Sequence, residues 1–282
     1  MALDEFDPVV ALNAADPGDP GPRPDIVALL GPHFDRPRGE PAPKTLILCA
    51  APRTGSYELA RLLTAAGIGV AHEYFNPTCA AALAVRWGLA GDVLEEAALG
   101  GYIDELRRRR AAGEVFATKL QYWQFKDTLR NDHGRALFGP AVVVHLFRAD
   151  ILAQFVSLHR ARETGRFDFT DELTHYPSAE ADPYAIEALR RMLDELVAED
   201  ANFRRLFALA GVRPIFCEYA ELERDPQGVV ARIAAALAVP VDQDRLAATI
   251  AHGARYGRAD DRAQRQAALQ AALGPDAFSK GR

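Results

Sequence analysis

Hydrophobic and polar positions follow two periods along this chain. Thr45-Leu46-Ile47-Leu48-Cys49-Ala50 is a short apolar run bounded by Pro43 and Pro52, the pattern of a strand buried on both faces of a parallel sheet. After a loop, Leu59, Leu62, Leu63 and Ala66 recur at i, i+3, i+4 and i+7 with Gly67 behind them, which predicts a helix with a glycine stop. The unit returns at Ala141–Phe147, a run broken only by His145, followed by Ile151, Phe155 and Leu158 on one helical face. Val115–Gln121 predicts a strand after an Arg-rich helix over residues 102–112, and Pro214–Glu218 predicts another. A helix then opens near Asp225-Pro226 and runs to Leu237, with proline where the first helical N–H has no intrahelical partner. Residues 184–210 and 243–273 carry helical periodicity throughout. Strands alternating with helices imply an α/β fold built on a parallel sheet with helices on both faces.

Residues 1–43 repeat Asp-Pro, Gly-Pro and Arg-Pro steps with little apolar periodicity, the composition of a Pro-rich tail or arm. Residues 44–282 are read as a single domain, long enough to bury a core without disulfide or metal staples. A net charge of −6 supplies no global basic field for nucleic acid or an anionic membrane, so any anion must be held locally. Cys49, Cys79 and Cys217 form no CxxC pair and read as reduced thiols. No stretch reaches the roughly 18 apolar residues of a membrane span, and the N-terminus lacks a basic region followed by an apolar core. A cytoplasmic protein is expected.

Three segments carry candidate chemistry. Ala51-Pro52-Arg53-Thr54-Gly55-Ser56-Tyr57 lies between the first strand and the first helix. Such a junction offers backbone N–H groups and the positive end of a helix dipole to an anion, Gly55 permits close approach, and Arg53, Thr54 and Ser56 add donors. It is not a GxxxxGK[ST] loop, and taken alone it fits an ordinary polar turn equally well. Arg148 ends the strand 141–147 and Ser157 follows on the next helix; an Arg fork and a hydroxyl could grip a second phosphate, or be a surface Arg and a helix-face Ser. In Ala71-His72-Glu73-Tyr74-Phe75-Asn76-Pro77, a carboxylate among aromatics would have a raised pKa and could accept a proton, unless Glu73 is a solvated loop residue. The run Arg107–Arg110 has Asp104, Glu105 and Glu114 beside it and reads as a solvated helix face, not a nucleic-acid patch. Seven histidines show no HxxxH or HExxH spacing, so no metal is expected.

In this order the segments resemble the bacterial trehalose 2-sulfotransferase family, which uses 3′-phosphoadenosine-5′-phosphosulfate (PAPS) as donor. The resemblance rests on APRTGSYEL at 51–59, HEYF at 72–75, ATKLQYW at 117–123, FRADILAQFVSLHRARETGRF at 147–167 and CEYAELERDPQGVVARIAAAL at 217–237, with RAQRQAALQAAL at 262–273 resembling the family's C-terminal helix. It implies a P-loop-like sulfotransferase fold in which Pro52, Arg53, Thr54, Gly55, Ser56 and Tyr57 hold the 5′-phosphosulfate and Arg148 and Ser157 the 3′-phosphate. It further implies Glu73 as general base, Arg53 as a catalytic charge, and Phe75, Lys119 and His159 lining the site of a carbohydrate or glycolipid acceptor. A homodimer is also implied. The chain departs from the family at Tyr57, where Ser or Thr is usual, at His72 in place of a frequent Gln, and at His159 in place of a frequent Trp.

Sulfuryl transfer, like phosphoryl transfer, has a loose in-line transition state, so positioning and charge stabilisation are the protein's share. Tyr57 is expected to be tolerated because backbone donors carry most of the anion binding. Two other readings stay open on the residues alone: a metal-dependent kinase, which the absent Lys-Ser/Thr pair disfavours, and a non-catalytic nucleotide-binding module.

Overall fold

The apolar runs become one five-stranded sheet. The computed structural model describes residues 31–164 and 186–253, with Ala267 and Leu269. Its strands are β1 (Lys44–Ala50), β2 (Ala111–Ala112), β3 (Val115–Leu120), β4 (Val142–Phe147) and β5 (Ile215–Glu218), in the order β2-β3-β1-β4-β5. β1 pairs in parallel with β3 and β4, so that Leu48 faces Lys119 on one side and Val144 on the other. β5 lies parallel to β4. The all-parallel expectation is corrected at the first edge, where β2 runs antiparallel to β3. Only Gly113 and Glu114 separate these two strands, too few for a parallel crossover.

The helices are α1 (Ser56–Ala65), α2 (Pro77–Trp87), α3 (Glu96–Arg109), α4 (Tyr122–Gln124), α5 (Asp132–Phe138), α6 (Ile151–Thr164), α7 (Ile186–Ala210), α8 (Tyr219–Arg224), α9 (Pro226–Leu237) and α10 (Gln243–Gly253). A 3-10 turn spans Pro32–Phe34, and α4 widens into a π-helical stretch over Phe125–Leu129. Alternation along β1 splits the core in two. Ile47 and Cys49 face α2, α3, α5 and α7, while Leu46, Leu48 and Ala50 face α1, α8, α9 and α10. Both faces of the sheet are thus covered, as expected of buried strands with no polar alternation. Beyond Gly253 the predicted C-terminal helix lies outside the described residues, apart from Ala267 and Leu269, and Leu269 packs with Phe155 of α6 and Met192 of α7.

The Arg-rich helix ends earlier than predicted, and its four arginines do not share one solvated face. Arg108 and Arg109 pair with Asp104 and Glu105 one turn back, at 2.6 and 2.8 Å. Arg110 leaves the helical register and is fully buried, paired with Asp35 at 3.2 Å and stacked over Tyr74. Residues 31–43, assigned to the tail by the sequence, lie along the end of α3. Arg36 donates to the carbonyls of Arg107 and Arg108 at 3.0 and 2.8 Å, satisfying acceptors that the helix end leaves open and placing positive charge at its negative pole.

Candidate active site

The anion loop is shaped by its backbone. Arg53 and Gly55 both take left-handed φ values, 65° and 84°, a conformation that turns successive N–H groups toward one concavity. Gly55 is also the N-cap of α1 and provides no side-chain cap, so the first N–H groups of a ten-residue helix point into the same space. A Cβ on Gly55 would come within 2.6 Å of the Tyr219 ring, so glycine is required for conformation and for room alike. Of the side chains read as donors, Thr54 is buried and gives its hydroxyl to the Ala51 carbonyl at 3.0 Å; it holds the loop's shape. Gln154 of α6 braces the loop by donating to the Pro52 carbonyl at 2.7 Å.

Arg53 Nε donates to Ser157 Oγ at 3.0 Å. The structure therefore joins Ser157 to the residue that the sequence placed at the other end of the donor. A hydroxyl that accepts one such bond still has its own hydrogen to give. Arg148 follows β4 and stacks on Tyr219, its guanidinium carbon 4.6 Å from the ring centroid. Tyr219 thus touches both the Gly55 turn and Arg148. It was missed as a site residue, although it directly follows β5 at the carboxyl edge of the sheet, where ligands of open α/β folds bind.

A second cluster stands at the same edge. His72 forms a one-residue parallel bridge with Thr118, beyond the end of β2, and its carbonyl accepts from Lys119 N at 2.9 Å. This bridge fixes Glu73, 7% exposed, beside the side chain of Lys119, 3% exposed. Lys119 Nζ lies 2.7 Å from Glu73 Oε1. Gln124 Nε2 donates to Glu73 Oε2 at 2.9 Å, and Gln121 Nε2 to Oε1 at 3.3 Å. The other face of the ammonium rests on Tyr57, 3.3 Å from the ring centroid, a close cation–π contact. Tyr57, treated as merely tolerated in the donor loop, instead ties that loop to the Glu73 cluster through Lys119.

The electrostatics correct the expected raised pKa of Glu73. Burial pushes this carboxyl up, but the charge and hydrogen bond of Lys119, with help from Gln121, outweigh burial and hold it below the ordinary value. Glu73 is therefore ionised at neutral pH. One further expectation changes. Phe75 is fully buried against Tyr102 in the core, so it anchors the segment and presents no surface to an acceptor. His159 on α6 is 4% exposed, about as buried as Lys119. Burial pushes the neighbouring His72 down to about 3, and neither of its ring nitrogens has a hydrogen-bond partner among the described residues.

Sequence reasoning missed the two glutamines. They occupy i and i+3 of a capping box in which Gln124 Oε1 accepts the Gln121 N–H at 3.0 Å. That spacing puts both on one side of a helix start, and it was the available signal. Glu199 of α7 was missed as well. Its carboxylate accepts the Tyr122 N–H at 2.8 Å, and burial, opposed by that hydrogen bond and reinforced by the charge of Glu73, pushes it up to about 7. Among the described residues no group of His, Cys, Asp and Glu is placed to hold a metal ion, and no helix is long and apolar enough to cross a membrane.

A doubly covered α/β sheet, with an uncapped helix start at its carboxyl edge and an ionised carboxylate beside it, defines a group-transfer scaffold that can grip an anionic donor. The chain belongs to the Stf0 sulphotransferase family, whose model matches residues 45–265. Sulfuryl transfer is accordingly the chemistry of its family. A comparison with curated proteins gives no match.

Two outcomes follow from the charges. Lys119→Met removes the cation that lowers Glu73, so the Glu73 carboxyl should titrate at higher pH than in the wild type, as followed by its carboxyl chemical shift in NMR; an unmoved titration would show that Lys119 does not set the charge of Glu73. The folded-state pKa of Glu199 is raised from 4.5 to about 7, so its favourable contribution is complete below pH 4.5 and lost as pH rises through about 7. Glu199→Gln keeps an acceptor for the Tyr122 N–H without the charge. Its Tm relative to wild type should therefore rise between pH 5 and pH 8, as read by thermal melts.

Proposed function

We propose that the protein transfers a sulfuryl group from PAPS to a hydroxyl of a carbohydrate or glycoconjugate, with Glu73 as general base. The observation that carries this reading is Lys119, which touches the carboxylate of Glu73 and the ring of Tyr57 at once. Base and anion loop are thereby one side chain apart, the separation that in-line transfer between a bound donor and an activated hydroxyl demands.

The residues fit such a donor. Left-handed Arg53 and Gly55 with the uncapped start of α1 suit a phosphosulfate, and Arg148 on Tyr219 offers a second cationic grip suited to the 3′-phosphate. The scaffold is read as P-loop-like, and a cytoplasmic homodimer belongs to the same proposal. In the reaction the acceptor oxygen forms a bond to sulfur while the bond from sulfur to the bridging oxygen breaks. That oxygen leaves on adenosine 3′,5′-bisphosphate, and the hydroxyl proton goes to Glu73. Arg53 and the loop N–H groups face the charge that grows on the leaving oxygen. Gln121 and Gln124 hold the carboxylate in place as it changes charge, and Lys119 loses its counterion when Glu73 is protonated, leaving its cation for the transferring group.

Two substitutions test the halves separately. Arg148→Ala should weaken adenosine 3′,5′-bisphosphate by about 1.5–3 kcal/mol while leaving adenosine 5′-monophosphate nearly unchanged, as measured by calorimetry. Equal losses would refute the 3′-phosphate role. Glu73→Gln should leave donor affinity unchanged and reduce turnover by about 10²–10⁴-fold in single-turnover assays. Glu58→Gln, on an α1 residue paired with Arg61, should be nearly silent. If Glu73→Gln keeps more than about a third of wild-type turnover when chemistry limits the rate, Glu73 is not the base.

A further inference from the structure

Arg110 takes no part in the chemistry proposed above, yet among the described residues no arginine or lysine is more deeply buried. It is the C-cap residue of α3, where the chain leaves the helix for β2. A guanidinium at that depth needs a counterion, and the segment at residues 31–43 brings one, with Asp35 Oδ1 3.2 Å from Arg110 Nη1. The other oxygen of this carboxylate is held from α2, accepting from Trp87 Nε1 at 2.9 Å and pairing with Arg86 Nη1 at 3.5 Å. The same segment buries Phe34, whose ring centroid lies 5.8 Å from the Arg110 guanidinium carbon, and the Arg36 N–H donates to the Arg109 carbonyl at 2.9 Å.

Arg110 also touches the residue next to Glu73. Its guanidinium carbon lies 5.3 Å from the ring centroid of Tyr74. Phe116 of β3 stacks on the same ring at 5.9 Å, and the phenol donates to the Val70 carbonyl at 2.6 Å. The Tyr74 N–H joins the Lys119 N–H on the His72 carbonyl, each at 2.9 Å. Tyr74 therefore closes the short turn from Val70 on which Glu73 stands. We propose that Asp35 is a positioning residue for Glu73, acting through Arg110 and Tyr74, so that residues 31–43 belong to the machinery that holds the base. The role of Glu73 as base rests on the reading above. A buried ion pair adds little net stability over well-packed apolar side chains, so the value of this one lies in orientation. A planar guanidinium fixed by Asp35 keeps its contact with the Tyr74 ring, and a reacting group misplaced by about 1 Å loses rate by about 10²-fold.

Two variants of the full chain test the link. Asp35→Asn keeps the size and an acceptor for Trp87 but removes the charge, whereas Arg110→Lys keeps the charge and gives up the planar face. In each, the Glu73 carboxyl, followed by its chemical shift in NMR, should titrate at higher pH than in the wild type, because it has moved away from Lys119. Loss of the Asp35 charge alone acts in the opposite direction, so an upward shift in Asp35→Asn reports displacement. The other titratable groups that act electrostatically with Glu73, namely His72, Cys79 and Glu199, are the same in both variants. Amide exchange at Tyr74, Asn76 and Lys119 should quicken by about 10-fold or more while that of β1 keeps the wild-type rate. Affinity for adenosine 3′,5′-bisphosphate, by calorimetry, should stay within about twofold of wild type. Arg38→Ala, which removes a solvent-exposed arginine of the same segment paired with Glu105, should change none of these. Asp35→Asn decides the matter, and Arg110→Lys decides it if that variant does not fold. The inference is overturned if Glu73 titrates at the wild-type pH or below it, or if β1 exchange and bisphosphate affinity suffer equally, the pattern of general loosening. The base reading fails on a different result, retention of turnover by Glu73→Gln.

Discussion

A buried carboxylate beside a buried ammonium is the constraint around which this site is arranged. Neither Glu73 nor Lys119 could remain charged at its depth alone, because removing an ion from water costs several kcal/mol, typically more than one contact returns. The ion pair is completed on every side that the structure describes: two glutamine amides on the carboxylate, an aromatic face on the ammonium. Each of these partners comes from a different local device. Lys119 is placed by β3, Glu73 by the backbone bridge at His72, the glutamines by the capping box of α4, and Tyr57 by the first turn of α1. The arrangement is precise because four separate backbone features converge on it.

The loop between β1 and α1 is organised by packing more than by charge. Tyr219 fills the space that a side chain at position 55 would need, and offers its face to Arg148. Glycine in the loop and tyrosine after β5 are therefore complementary, one lacking the volume that the other supplies. Ser157 and Gln154 of α6 reach the same loop. The loop is thus held by α6 and by the start of α8, which suits a preformed anion site.

Much of this was legible in the sequence because burial on both faces leaves an unmistakable record. The runs at 45–50 and 141–147 became β1 and β4 nearly residue for residue, and Pro226 did open a helix ending at Leu237. Short elements were not legible. Ala111–Ala112 carries no period, and its antiparallel pairing follows from the turn that joins it to β3. Within the site, the position of Arg53 and Gly55 between strand and helix was readable from local pattern alone. The lowered pKa of Glu73 was not, since it depends on Lys119, some 46 residues further along the chain. Phe75 misled for the opposite reason: an aromatic next to a functional residue is as well explained by the core, and there it lies.

The bridge between His72 and Thr118 has a consequence unrelated to chemistry. β3 would otherwise present the second half of its length as an open edge, because β2 covers only Val115 and Phe116. Unpaired strand edges invite pairing with other chains and so promote aggregation. By accepting the Lys119 N–H with the His72 carbonyl, the segment that carries Glu73 also seals this border of the sheet. Mutations that loosen the segment would therefore harm solubility along with activity, and a loss of function there need not be a loss of catalysis alone.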